Sequence, residues 1–221
     1  MDRRVKRGCW WASRYDWLMQ SVERRALRSY RSKLLGGVRG RVLEIGVGTG
    51  ANWSQLPRRV DQYVGVERDA AMLAVAGRKH SAGERDFQFP VALIQGDGAQ
   101  LPFADAQFDA VVCTLVLCSV RKPAAALGEL ARVLRPGGTF LFLEHIRGEG
   151  RRALWQDLAA PVWSWIGCGC RPNRRTLHVI RQIGFRLEDC EWFDPFVKMG
   201  RWTKPFGLLL APFVAGSAVK P

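Results

Sequence analysis

Residues Val42-Leu43-Glu44-Ile45-Gly46-Val47-Gly48-Thr49-Gly50 place an apolar run directly before three glycines spaced two apart, an order that few folds accept. The run reads as a buried strand. Alternate glycines let the backbone lie against a ligand with no Cβ between, and they tolerate the positive φ of a sharp strand-to-helix turn. Gly46, Gly48 and Ala51 also satisfy the looser G-x-G-x-x-G/A pattern of dinucleotide sites, so the neighbouring segments must decide which ligand the loop takes.

Those neighbours repeat the logic of a doubly wound sheet. Tyr63-Val64-Gly65-Val66-Glu67 is a second short apolar strand, and its terminal acid lies 21 residues after Gly46, where it can accept both hydroxyls of a ribose. Val91 to Gln95 is a third strand leading into Gly96-Asp97-Gly98, which brings another carboxylate to the same edge. Phe108 to Leu115 predicts a fourth strand, Pro123 to Leu134 a helix, Arg135-Pro136-Gly137-Gly138 a turn, and Thr139 to Glu144 a fifth strand.

With these elements in view the chain resembles the class I S-adenosylmethionine-dependent methyltransferases. The resemblance rests on Glu44-x-Gly46-x-Gly48-x-Gly50, Glu67, Gly96-Asp97, Leu101-Pro102-Phe103, Phe108-Asp109 and Leu134 to Gly138, in family order and at family spacing. Cys113 to Val120 and the terminal Gly216-x-Ala218-x-Lys220-Pro221 resemble the methyltransferase-like branch that includes membrane-associated alkyl-thiol methyltransferases. The fold this implies is α/β, a doubly wound, mostly parallel seven-stranded sheet with helices on both faces. The implied cofactor is S-adenosyl-L-methionine. Gly46, Gly48 and Gly50 would wrap its methionine part with Glu44 supporting the loop, and Glu67 would bind the ribose hydroxyls. Asp97 with the backbone of Gly98 and Ala99 would bind the adenine edge, and Leu115 would pack near the adenosine or the reacting methyl.

Methyl transfer needs a base only where the acceptor arrives protonated, and a thiol with a pKa of about 8.5 needs modest help. His145, directly beyond the fifth strand and beside Glu144, is the candidate; a strand-capping role for the same ring stays open. The expected acceptor is a small hydrophobic molecule, a thiol first, with lipid amines and quinones as neighbours in the wider superfamily.

Charge adds a second theme. The formal net charge is +14, and residues 1–39 carry eleven Lys or Arg against three acids. Tyr15, Leu18, Met19, Val22, Ala26, Leu27, Tyr30 and Leu34 recur at helical spacing, so residues 1–39 read as a basic amphipathic segment covering the cofactor site while Arg24, Arg25, Arg28 and Arg31 face solvent. Residues 40–221 read as a single cofactor-binding domain with a Trp-rich lid at about 150–170. Trp10, Trp11 and Trp17 beside arginines suit an anionic lipid surface, which gives an expected location in the cytoplasm, peripheral to the inner face of the membrane. The chain begins with no secretory pattern, and the apolar stretch from Phe206 to Ala215 is about half the ~20 residues of a bilayer span.

Six cysteines in such a chain read as buried apolar residues of a reducing compartment. Cys168-Gly169-Cys170 with His178 and Cys190 lacks a second paired motif, so no metal site is expected. A short-chain NAD-dependent oxidoreductase would need Tyr-x-x-x-Lys, and none of Tyr15, Tyr30 or Tyr63 has Lys four residues on. The alternative left by the charge is a basic nucleic-acid-binding protein or RNA methyltransferase, against which stands the absence of an Asn-Pro-Pro-Tyr-like motif. Oligomeric state stays open.

Overall fold

The computed structural model describes residues 22–167, 169–198, 203, 207 and 209–221. Seven strands, β1 (Gly40–Ile45), β2 (Val60–Glu67), β3 (Val91–Gln95), β4 (Phe108–Thr114), β5 (Leu134–His145), β6 (Arg186–Phe193) and β7 (Phe213–Val219), form one sheet in the order β3-β2-β1-β4-β5-β7-β6. Strands β1 to β5 run parallel, and β7 lies antiparallel between β5 and β6. The doubly wound, mostly parallel seven-stranded sheet is therefore present. Its strand order reverses between β1 and β4, the crevice at which open α/β sheets bind ligands.

Alternation along each strand builds two cores. Leu43, Ile45, Val111, Cys113, Phe140 and Phe142 point to one face, where they meet α3 (Pro123–Val133) and α5 (Thr176–Gln182) through Leu127, Leu130 and Ile180. Val42, Ala110, Val112 and Leu141 point to the other face, covered by Leu35 of α1 (Arg28–Leu35) and Ala76 of α2 (Ala70–Ser81). Helix α2 starts where Asp69 accepts hydrogen bonds from the Ala71 and Met72 amides at 2.7 and 3.0 Å, a cap worth ~1 kcal/mol. Helix α3 starts on Pro123, whose missing amide hydrogen costs nothing in a first turn.

Four local expectations change, one being that Arg135-Pro136-Gly137-Gly138, expected as a turn, is carried within β5, which starts already at Leu134. The glycine loop is followed by a short 3-10 turn, Trp53–Gln55, in place of a helix. Trp53 is buried, its ring closes over Gly50, and its Nε1 donates to Tyr63 Oη at 3.1 Å, so this side chain turns the chain inward and Pro57 follows. Helix α3 stops at Val133 because Leu134 is extended and pairs with Phe108. In the basic segment Glu23–Leu27 winds as a π-helical turn leading into α1; Trp10, Trp11, Trp17 and the rest of residues 1–21 lie outside the described residues.

The Trp-rich segment forms α4 (Gly150–Ile166), which buries Ala153, Gln156 and Ala160. Gln156 is fully buried. Its Oε1 accepts from Gly148 N at 2.7 Å and its Nε2 donates to Ala211 O at 3.0 Å, with longer bonds to the Ile146 and Pro172 carbonyls, so one amide ties α4 to three chain segments.

Candidate active site

The glycine loop leaves β1 with Gly46, Gly48 and Gly50 at φ +69°, +56° and +89°, a left-handed series that costs L side chains about 1–2 kcal/mol per residue. The Gly46 and Val47 amides both donate to Val66 O, at 2.7 and 3.2 Å. A Cβ on Gly46 would run into the Val116 side chain, which means the loop after β4 rests directly on the glycine loop. A Cβ on Gly48 would meet only Gly46 O at 3.9 Å, so space opens above the middle of the loop.

Two acids stand at the neighbouring strand ends. Glu67 accepts from Gly48 N at 3.0 Å and from Asp69 N at 2.8 Å, so its carboxylate is already fixed against the glycine loop. Asp97 is exposed and accepts from Ala99 N at 2.9 Å, in a tight turn with Gly98 buried beneath it. Gly46, Gly48, Gly50, Glu67, Asp97, Gly98 and Ala99 thus share the carboxyl edge of β1, β2 and β3.

Glu44 sits differently. It is fully buried, with Asn52 Nδ2 donating to one oxygen at 2.9 Å and Tyr63 Oη donating to the other at 2.6 Å. Burial pushes its carboxyl up to about 7, against the opposing pull of those two bonds and of nearby Arg31. Arg31, expected in solvent, is buried: Nη1 donates to Asn52 Oδ1 at 2.6 Å and Thr114 Oγ1 at 2.7 Å, and Nε pairs with Glu23 at 2.6 Å. The physical reason is that α1 packs beside β5, β7 and the short turn after the glycine loop, where its Arg31 meets the acceptors of Asn52 and Thr114 and the carboxylate of Glu23. Arg24, Arg25 and Arg28 are exposed.

The edge of β4 and β5 is organised by Glu144. This buried carboxylate accepts from the amides of Val116, Leu117 and Cys118 at 2.9, 2.8 and 3.1 Å. Burial raises its pKa while the three amides oppose the rise. Leu115 immediately before them has φ +59°, a strained conformation for a leucine, and packs with Tyr30, Trp163, Phe193 and Phe213 around buried Leu27 and Leu143. An apolar, aromatic cluster therefore borders the glycine loop. His145 ends β5 with Nδ1 3.1 Å from Cys170 Sγ and its ring edge-on to Phe213 at 4.2 Å.

Cys118, His145 and Cys170 come together, whereas His178 and Cys190 join no such group among the described residues. Cys113, Cys118, Cys170 and Cys190 are free thiols, the first three buried. Arg31, Asn52, Tyr63, Thr114 and Glu144 were not anticipated as supports of the site. Glu144 carried a usable signal, since an acid ending an apolar strand run must find donors; the partners of Glu44 come from distances of 8 and 19 residues and had none.

The sheet order, the left-handed loop on β1 and an acid at or next to the last residue of each of β1, β2 and β5 define a nucleotide-cofactor fold of the Rossmann-like type. The family model described as a methyltransferase domain matches residues 43–142. A thiol S-methyltransferase of Rattus norvegicus is 33% identical, covering 96% of this chain and 90% of that protein. Among solved structures, a putative methyltransferase from Bacillus halodurans C-125 aligns with a TM-score of 0.68 at 21% identity, covering 86% of this chain and 98% of that one. Geranyl diphosphate C-methyltransferase from Streptomyces coelicolor A3(2), in complex with S-adenosyl-L-homocysteine, aligns with a TM-score of 0.68 at 15% identity, covering 87% of this chain and 78% of that one. The chain belongs to the class I S-adenosylmethionine-dependent methyltransferases. It is an enzyme of methyl transfer, and the family implies S-adenosylmethionine as donor.

Proposed function

We propose that this methyltransferase acts on a small hydrophobic thiol. The observation that carries the reading is the aromatic and aliphatic cluster around Leu115 at the β4–β5 edge, taken together with the thiol acceptor named for the rat relative. The glycine loop would receive the methionine part of the cofactor over Gly48, where no side chain fills the space. Glu67, already oriented by Gly48 N and Asp69 N, keeps free lone pairs for the ribose hydroxyls, and Asp97 with the Gly98 and Ala99 backbone offers the adenine edge an acceptor and donors. Glu44, buried and held by Asn52 and Tyr63, supports the loop without touching the ligand. The cofactor supplies an activated sulfonium methyl. What the chain must add is in-line positioning and exclusion of water, worth up to ~7–11 kcal/mol for ideal orientation. As a base His145 would act through Nε2 with its Nδ1 proton donated to Cys170, a role that ligation through Nδ1 would remove.

A second reading concerns where the enzyme works. Leu154, Trp155, Leu158, Val162, Trp165 and Ile166 form one exposed apolar stripe on α4, with Arg151 exposed beside it. With the basic segment and a formal net charge of +14, this favours an anionic lipid surface, on which the stripe would lie at the headgroup boundary. No helix among the described residues is long and apolar enough to cross a membrane. Failure to sediment with anionic vesicles at low salt would sink this reading.

The test of the main reading is calorimetric titration with S-adenosylhomocysteine on wild type, Glu67→Ala and Asp97→Ala, followed by turnover with hydrophobic thiols, amines and quinols. Each variant is expected to lose roughly tenfold or more in affinity, the worth of a hydrogen bond to a charged group. Turnover of amines or quinols in place of thiols would refute the acceptor, and folded wild type that binds no homocysteine product, with or without vesicles, would refute the site.

A further inference from the structure

We propose that Cys118, His145 and Cys170 form a binding site for a thiophilic divalent cation, zinc first, whose fourth coordination position receives the sulfur of the acceptor. The cation site stands on geometry alone; the role of its open position rests on the thiol reading above.

One ligand atom from each residue lies within 4.8 Å of the other two, and His145 Nδ1 is 3.1 Å from Cys170 Sγ. Tetrahedral zinc, with bonds of about 2.3 Å to sulfur and 2.0–2.1 Å to nitrogen, holds such atoms roughly 3.5–3.8 Å apart, inside the span already present. Two thiolates and an imidazole select zinc over magnesium or calcium, and the two sulfur charges neutralise the dication. Three donors with an open fourth position is the arrangement of catalytic rather than structural zinc.

The donors come from three segments that are locked to one another. Glu144 holds the Cys118 amide at 3.1 Å, and the Cys118 carbonyl accepts from Arg171 N at 2.8 Å, which fixes the residue after Cys170. Cys170 N donates to Gly167 O at 2.9 Å, and His145 is paired with Phe213 in the sheet. Arg174 supplies an independent sign. Its guanidinium lies within electrostatic reach of both sulfurs, Nη2 donates to Val120 O, and Nε is buried with no partner among the described residues. A guanidinium beside two buried sulfurs favours the thiolate form that a thiophilic cation requires.

The place suits the chemistry. Cys118 is two residues past Val116, which rests on Gly46. An acceptor thiol binding the cation releases its proton to solvent; its sulfur lone pair forms the new bond to the methyl carbon. The bond from that carbon to the sulfonium sulfur breaks with its electron pair staying on the departing homocysteine sulfur, and the thioether leaves. His145 is then a ligand through Nδ1, not a base.

The experiment uses the full chain, stripped with a chelator and reloaded with zinc or cobalt(II), with S-adenosylhomocysteine binding as the check on folding. Wild type is expected to take up one equivalent of zinc and, with cobalt, to display the visible bands and sulfur-to-metal charge transfer of a tetrahedral thiolate site. Cys118→Ser, Cys170→Ser and His145→Ala are each expected to weaken uptake by tenfold or more while Cys190→Ser does not. Folded, product-binding wild type that takes up no zinc, or undiminished uptake in Cys118→Ser and Cys170→Ser, overturns the site. A hydrophobic thiol should perturb the cobalt bands. Unmoved bands at a thiol concentration that supports turnover overturn the acceptor's place on the metal while leaving the thiol reading standing.

Discussion

Replacing Glu44 by Gln tests the energetics beneath the glycine loop. Glu44 is fully buried, and its carboxyl titrates near pH 7 in the folded chain against 4.5 in the open one, with burial as the main cause. Between those values the folded state carries a proton that the unfolded state has lost, so unfolding releases it and stability falls as pH rises. The contribution is complete below about pH 4.5 and exhausted above about pH 7. At ~1.4 kcal/mol per factor of ten it amounts to about 3 kcal/mol across that window. Glu44→Gln removes the titration. It also leaves Asn52 Nδ2 or Tyr63 Oη facing the wrong end of the amide, a cost of ~1–3 kcal/mol at acid pH. Urea unfolding at about pH 5 and about pH 8 should therefore find the variant gaining about 2.5 kcal/mol on wild type between the two conditions, since part of the contribution is already lost at about pH 5, with unchanged m. Parallel stability curves would refute the reasoning, since they would mean Glu44 is ionised throughout with Arg31 as its counter-charge.

Two further perturbations probe other parts of the molecule. Arg31→Met strands Asn52, Thr114 and Glu23 around a lost buried cation and should cost ~3–5 kcal/mol in urea unfolding, whereas Arg28→Met at an exposed position should stay within ~0.5 kcal/mol. Trp155→Ser with Trp165→Ser should cut sedimentation with anionic vesicles several-fold at low salt without changing homocysteine-product binding in solution; equal sedimentation would remove α4 from the membrane reading.

Period and punctuation determined much of this protein before any packing was known. The apolar runs of β1 to β5, their order, and the glycines after Ile45 follow from residues adjacent in the chain, and these residues suffice to choose a doubly wound sheet and its carboxyl edge. The cofactor-site candidates Gly46, Gly48, Gly50, Glu67 and Asp97 were legible for the same reason: each closes a strand whose pattern is local. What escaped local reading was every interaction between distant segments. Trp53 replaces an expected helix with a turn because the space it fills lies against Tyr63, and Arg31 leaves solvent because α1 packs where Asn52 of the turn after the glycine loop and Thr114 at the end of β4 meet. Glu144 meets its three amides only because β5 lies beside β4. Cys118, His145 and Cys170, spread over more than fifty residues, gather for that reason too. Hydrophobic period is a property of neighbours in sequence and can be read from them; a buried charge or thiol takes its partners from whatever the finished sheet brings within bonding distance, and only the tertiary structure decides that.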